Sequence, residues 1–246
     1  MRQPTVVLAP GGGEVIGDAP DRRVEILAEH DALHATWSRM GPGRDGADLH
    51  VHRRHSDLFY VLDGELTVRL GPAGNETVAP AGTLARVPPL VVHGFRNRSA
   101  ADVRYLNLHA PGQGFASYLR ALRDGRTLVY DQEPPPADGG RPPSDAVFTG
   151  DGSARDRSRA LLAETEAIAV AEAWGVPDAA QPPRVRDGQV TAYYVLDGEM
   201  AIAGGDRVLP APAGAWAQVP PGVAYALSFA ERTRYLEVRT PNRRSA

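Results

Sequence analysis

The sequence predicts an all-β protein made of two copies of one β-domain, and three observations carry that prediction. Short runs of alternating apolar and polar residues recur about 8–12 residues apart, the spacing of a β-barrel or sandwich. Gly and Pro are plentiful, at 26 and 22 of 246 residues, which favours short elements joined by turns over long helices. The second half of the chain repeats motifs of the first in the same order, as duplicated domains do.

Taken in order, Val6–Leu8 is a lone apolar run followed by Gly11-Gly12-Gly13. No helical pattern follows those glycines, so they read as a turn and not as a phosphate cradle. Val24 to Met40 alternates as two strands split near Glu29-His30-Asp31, and Gly41–Gly46 is a loop leading into His50. Phe59–Leu62 is a strand closed by the turn dipeptide Asp63-Gly64, with Glu65–Leu70 as its hairpin partner. Glu76–Val78, Leu84–Val87, Val91–Asn97 and Val103–His109 continue the series. Phe115, Tyr118, Leu119 and Leu122 share one helical face, so Gly114–Arg123 is expected as a short amphipathic helix. Residues 127–158, with Pro134-Pro135-Pro136 and Arg141-Pro142-Pro143, read as a linker. The first barrel is then residues 1–126 and the second residues 159–246.

The repeat is direct. Tyr60–Glu65 recurs unchanged as Tyr194–Glu199, Leu27-Ala28-Glu29 as Leu162-Ala163-Glu164, and Val87-Pro88-Pro89 as Val219-Pro220-Pro221.

Composition removes several chemistries. The chain has no cysteine, which excludes disulfides, thiolate metal sites and cysteine nucleophiles. It has no lysine either, so Schiff-base catalysis and the P-loop lysine are out. A net charge of −3 offers no electrostatic case for nucleic acid. No stretch approaches the roughly 20 apolar residues of a membrane span, and the N-terminal apolar run is too short for a secretory signal. Cytoplasm is the expected compartment.

Chemistry concentrates in the first half, where all seven histidines lie. His50 and His52 stand two apart, so in an extended chain both imidazoles point to one face. Asp57 follows at the start of the next strand, and nitrogen ligands joined by a carboxylate suit a divalent metal. Phe59, Val61 and Phe95 share parity with Asp57 and His93, so they are expected to line a cavity as its apolar wall. Tyr105, Asn107 and His109 share one face of a strand; they either hydrogen-bond a substrate or form a solvated edge. His55 reads most simply as an exposed neighbour of Arg53-Arg54. In the second copy Arg184 and Arg186 replace His50 and His52, Thr191 replaces Asp57, and Tyr225 replaces His93. Guanidinium has no lone pair to give, so that copy cannot rebuild the metal site. Arg184 and Arg186 either hold an anion or, more simply, form salt-bridged surface pairs.

These residues resemble the two motifs of the cupin superfamily. His50, His52, Asp57 and Gly64 match the first, with Asp in place of the usual Glu. Gly82, Pro88, His93 and Asn97 match the second, with Leu90 where Gly is usual; Gly214, Pro220 and Gly222 keep the second motif in the repeat. The pattern is most similar to the quercetin 2,3-dioxygenase-like branch. The resemblance implies two cupin (jelly-roll) barrels in tandem, the first with one divalent transition metal (Fe, Mn, Ni, Cu or Zn) held by His50, His52, His93 and Asp57. Asp57 is either a ligand or an acceptor that orients a His or a bound water, and it inherits the family's proton-accepting role. The implied function is a metal-dependent dioxygenase acting on a small oxygenated organic molecule. Non-oxidative isomerase or cyclase chemistry, or a non-enzymatic ligand-binding bicupin, are the alternatives. Pairing of cupin barrels through strands suggests a homodimer.

Overall fold

The computed structural model describes residues 4–150, 158–177 and 182–241. The first half holds β1 (Val6–Leu8), β2 (Glu14–Ala19), β3 (Arg22–His30), β4 (Leu33–Met40), β5 (Ser56–Asp63), β6 (Glu65–Leu70), β7 (Asn75–Pro80), β8 (Leu84–Val87), β9 (His93–Arg96) and β10 (Val103–Ala110). Helix α1 (Phe115–Arg123) follows, then β11 (Val147–Thr149). The second half holds β12 (Arg159–Glu164), β13 (Ala169–Gly175), β14 (Val190–Asp197), β15 (Glu199–Gly204), β16 (Arg207–Pro212), β17 (Trp216–Val219), β18 (Ala226–Phe229) and β19 (Thr233–Thr240).

The chain divides into two units, Glu14–Asp151 and Met1–Gly13 with Gly152–Ala246. The first unit has a seven-stranded sheet of order β11-β8-β5-β10-β4-β3-β2 and a three-stranded sheet β7-β6-β9. Alternation sends Phe59, Val61, Leu66, Val68, Val87 and Val103 from both sheets into one apolar core. The second unit has a six-stranded sheet of order β1-β17-β14-β19-β13-β12 and a three-stranded sheet β16-β15-β18. Tyr193, Val195, Met200, Ile202, Val219 and Leu227 fill its core in the same way. Each unit is a jelly-roll barrel.

Backbone geometry explains the repeated peptides. Leu62 is left out of the ladder with β10, and Leu196 out of the ladder with β19, so both copies carry a β-bulge there. Gly64 and Gly198 follow with φ of 75° and 78°. A Cβ at either would lie 2.5 Å from the Asp102 carbonyl oxygen or 2.9 Å from that of Arg232, so glycine is required for both conformation and space. Leu27 and Leu162 are the bulged residues of the other repeat, in β3 and β12.

Three expectations are corrected. Val6–Leu8 belongs to the second unit, where it pairs with β17. The described part of the expected linker, residues 127–150, lies along the first barrel: Val51 and Glu133 exchange backbone hydrogen bonds of 2.9 and 3.0 Å, Arg141 donates to the Leu90 carbonyl, and β11 pairs with β8. Pro content argues only for an extended chain, and an extended chain can still cap a sheet edge with its non-Pro donors. Finally, α1 buries Ala116 and Ala121 while Leu122 is exposed. No helix among the described residues is long and apolar enough to cross a membrane.

Candidate metal centre

The extended stretch ahead of β5 pairs with the start of β9. His50 and His93 exchange backbone hydrogen bonds of 2.9 Å in each direction, which places their side chains next to each other. Val51, between His50 and His52, is buried and held by Glu133, so the two histidines turn together to the opposite side. β5 then brings Asp57 to the same place. One donor atom from each of His50, His52, Asp57 and His93 lies within 4.8 Å of the others, and all four residues are buried.

The protons on the three imidazoles are assigned by their partners. Nδ1 of His50 donates to the Asp48 carbonyl at 2.7 Å, and Nδ1 of His93 to the Val91 carbonyl at 2.9 Å. Nδ1 of His52 donates to the Asp131 carbonyl. A carbonyl oxygen can only accept, so each Nδ1 carries the hydrogen and each Nε2 presents a bare lone pair. His50 Nε2 faces His52 Nε2 at 3.2 Å, and Asp57 Oδ2 lies 3.3 Å from His93 Nε2 and 3.6 Å from His52 Nε2. Burial, with His93 and His52 alongside, lowers the His50 pKa to about 3, so His50 carries no second proton at neutral pH. Four acceptors therefore converge with nothing to donate between them. That arrangement fits a divalent cation.

Asp57 is also tied from behind. Its Oδ1 accepts from the Asn107 amide and lies 3.2 Å from His109 Nε2. Burial opposes its ionisation, but His109, the largest opposing influence, outweighs burial and holds the carboxyl well below the usual carboxylate range. His109 Nδ1 meets the Tyr130 hydroxyl at 2.8 Å, and that hydroxyl meets His55 Nε2 at 3.0 Å. His55 Nδ1 reaches Asp131 Oδ2 at 3.0 Å. With both imidazoles neutral, the string Asp57–His109–Tyr130–His55–Asp131 holds three protons for four gaps. One gap is always open, and shifting protons along the string moves it from end to end. His52, His55 and His109 also lie within metal-binding distance of one another, but His55 engages partners through both ring nitrogens and His109 through Nδ1, which makes theirs the poorer cradle.

His55 is buried at 1% exposure, which overturns its reading as a surface residue. Tyr105, Asn107 and His109 are likewise buried and form no solvated edge. Asn107 and His109 serve Asp57, whereas Tyr105 joins the apolar core and bonds Ser38. Phe59 and Val61 are fully buried in that core, and Phe95 packs partly exposed against it, 5.0 Å from the Phe59 ring. Asn97 is structural: its amide donates to the carbonyls of Met40, Gly41 and Ala101. Leu90 has φ of 67°, the left-handed conformation for which the second copy uses Gly222, φ 70°.

Tyr130 and Asp131 are the site residues that reasoning from sequence did not find. Asp131 accepts from His52 with its carbonyl, and from His55 and the backbone N–H groups of Arg53 and Arg54 with its carboxylate. Tyr130 packs on Phe115 and Tyr118 of α1, at 4.9 and 5.0 Å between ring centroids. Both residues fall in the segment whose composition reads as linker; a Tyr-Asp pair just ahead of the proline run is the only cue.

Comparison with known proteins agrees with this architecture. Residues 36–109 match the model of the cupin domain. Over 120 residues the chain is 30% identical to quercetin 2,3-dioxygenase of Bacillus subtilis (strain 168), a match covering 48% of this chain and 34% of that one. Among solved structures, Ylba from E. coli superposes with a TM-score of 0.71 at 14% identity, covering 98% of this chain and 93% of the other. An oxalate decarboxylase of Bacillus subtilis described with Mn(II) centres gives a TM-score of 0.63 at 15% identity, covering 98% and 78%. Residues 36–109 thus carry a cupin domain, and the second barrel repeats its fold. The first barrel contains a His/Asp cluster able to hold a metal ion.

Proposed function

We propose that the first barrel is a metal-dependent enzyme site for a small oxygenated organic molecule, holding one divalent transition metal through His50, His52, His93 and Asp57, and that its reaction is a dioxygenation. The observation that carries the metal is the convergence of three bare imidazole nitrogens and a carboxylate oxygen in a buried site. The similarity to quercetin 2,3-dioxygenase supports the oxygen chemistry.

A bound metal would supply Lewis acidity and a template for a substrate oxygen. The protein's own residues do the remainder. The carbonyls of Asp48, Asp131 and Val91 fix the three imidazole rings. Asn107 and His109 commit one oxygen of Asp57, which leaves Oδ2 facing the cluster to take a substrate proton. Phe95, partly exposed beside Phe59, is the member of the apolar wall with surface left to touch a substrate.

One observation favours a second reading, non-oxidative proton transfer as in an isomerase or cyclase: the string from Asp57 to Asp131 can carry a proton without O₂. Metal analysis of protein purified without a tag, followed by oxygen uptake with flavonols, 1,3-diketones and catechols, tests both readings. Stoichiometric metal with oxygen consumed on one of these classes is expected. Metal without uptake under any reconstitution moves the assignment to proton transfer, and sub-stoichiometric metal with ligand binding unchanged in His93→Ala removes the metalloenzyme.

A further inference from the structure

Register maps the metal centre of the first barrel onto the second residue by residue. Asp57 stands opposite His109 across β5 and β10, as Thr191 stands opposite Arg239 across β14 and β19. The backbone exchange between His50 and His93 recurs between Arg184 and Tyr225, at 2.7 and 3.0 Å. Asn107 and His109 therefore correspond to Glu237 and Arg239. At this place the second barrel has a cavity of about 370 Å³ lined by Arg159, Arg184, Arg186, Arg239 and Glu237, with Trp174 and Tyr235 among its walls.

We infer that this cavity binds a small organic or inorganic oxyanion, a carboxylate or a phosphate. Four guanidinium groups face one carboxylate there. Glu237 is shared, with Arg159 at 3.3 Å and Arg186 at 3.2 Å, so the one acid lining this cavity is divided between two of its cations. Nε of Arg186 and of Arg239 are buried without a hydrogen-bond partner among the described residues. So is the hydroxyl of Thr191, a residue only 1% exposed and in register with Arg239. Buried donors left unpaired are costly, and like charges gathered in one cavity repel. A bound oxyanion relieves both, because guanidinium forks match the geometry of carboxylate and phosphate. Tyr235, packed in the barrel core, adds apolar wall for the carbon skeleton of an organic anion.

Titration calorimetry of the full-length protein with succinate, inorganic phosphate and the neutral analogue succinamide tests this. Saturable binding of succinate or phosphate at one site per chain is expected, weakened at least about tenfold when salt rises from 50 to 500 mM. Succinate binding with no phosphate binding identifies a carboxylate site; the reverse identifies a phosphate site. Arg184→Gln and Arg239→Gln should each lower affinity at least about tenfold, since each removes a charge-assisted pair of hydrogen bonds; His50→Ala, in the other barrel, should leave it unchanged. Should either Arg variant fail to fold by circular dichroism, the salt dependence and the succinamide control on unaltered protein still decide. No saturable binding of either anion, succinamide binding as tightly as succinate, or loss of binding in His50→Ala would each overturn the site.

Discussion

The two barrels share their bulges, their left-handed glycines and the backbone pairing that presents His50 and His93 in one copy and Arg184 and Tyr225 in the other. They differ in what those shared positions project. The first copy gathers lone pairs, from three imidazoles and a carboxylate. The second gathers donors, from four guanidinium groups and a tyrosine pair linked at 2.7 Å between hydroxyls. One backbone thus hosts opposite charge preferences, which shows how fully the scaffold is separable from the chemistry it carries.

The largest test of that contrast is removal of one donor from each copy. His93→Ala should lower metal affinity by more than about 100-fold in a chelator competition, because a ligand itself is lost. Tyr225→Ala, its counterpart, should leave metal content unchanged; a fall there would break the division of labour. Next in size is Asp131→Ala, which removes the carboxylate that holds His55 and the backbone N–H groups of Arg53 and Arg54, and so loosens the strap whose carbonyl orients His52. Metal affinity should drop about 10–100-fold, the usual effect of losing a partner that orients a ligand. Asp131→Asn, which keeps a side-chain acceptor for His55 or the Arg53 and Arg54 N–H groups, should recover part of that loss.

Acid comes third. Burial lowers His50 to about 3 and His55 to about 2, from an ordinary value of 6.5. Below pH 6.5 the unfolded chain takes up protons that the folded barrel refuses, so metal-free stability falls as pH drops from 6.5 toward 3. The slope should be roughly 1–3 kcal/mol per pH unit. The second barrel holds no histidine. Hydrogen exchange at pH 5 should therefore show β5 losing protection while β14 keeps it; equal loss in both would remove the buried histidines as the cause. The smallest effect is expected at the left-handed turn. Leu90→Gly should raise stability by about 1 kcal/mol in urea, and Gly222→Ala should lower it by about the same amount.

The strands were legible because alternation is local, and the duplication was legible because bulges and left-handed glycines constrain sequence wherever they occur. His50, His52 and His93 were legible because ring nitrogens at motif spacing are rare by accident. The environment of Asp57 was not. Its partners Asn107 and His109 lie on a strand that reads equally well as a solvated edge until its neighbours are known. Tyr130 and Asp131 act across a tertiary contact that leaves no periodic mark, inside a stretch whose prolines speak only of extension. His55 was misplaced because its neighbours Arg53 and Arg54 suggest a surface, while Asp131, which draws it inward, is 76 residues away along the chain.

The edge strands have a consequence for how the protein can be divided. β1 precedes the first barrel in sequence but completes the sheet of the second, and β11 precedes the second but completes the sheet of the first. A cut at residue 126 would strip the first barrel of its outer strand and of Tyr130 and Asp131, exposing a raw edge prone to self-association. A piece spanning residues 14–150 would keep its sheet and its string of hydrogen bonds intact. The segment that was duplicated and the segment that folds are offset along the chain, and limited proteolysis should find the second boundary, not the first.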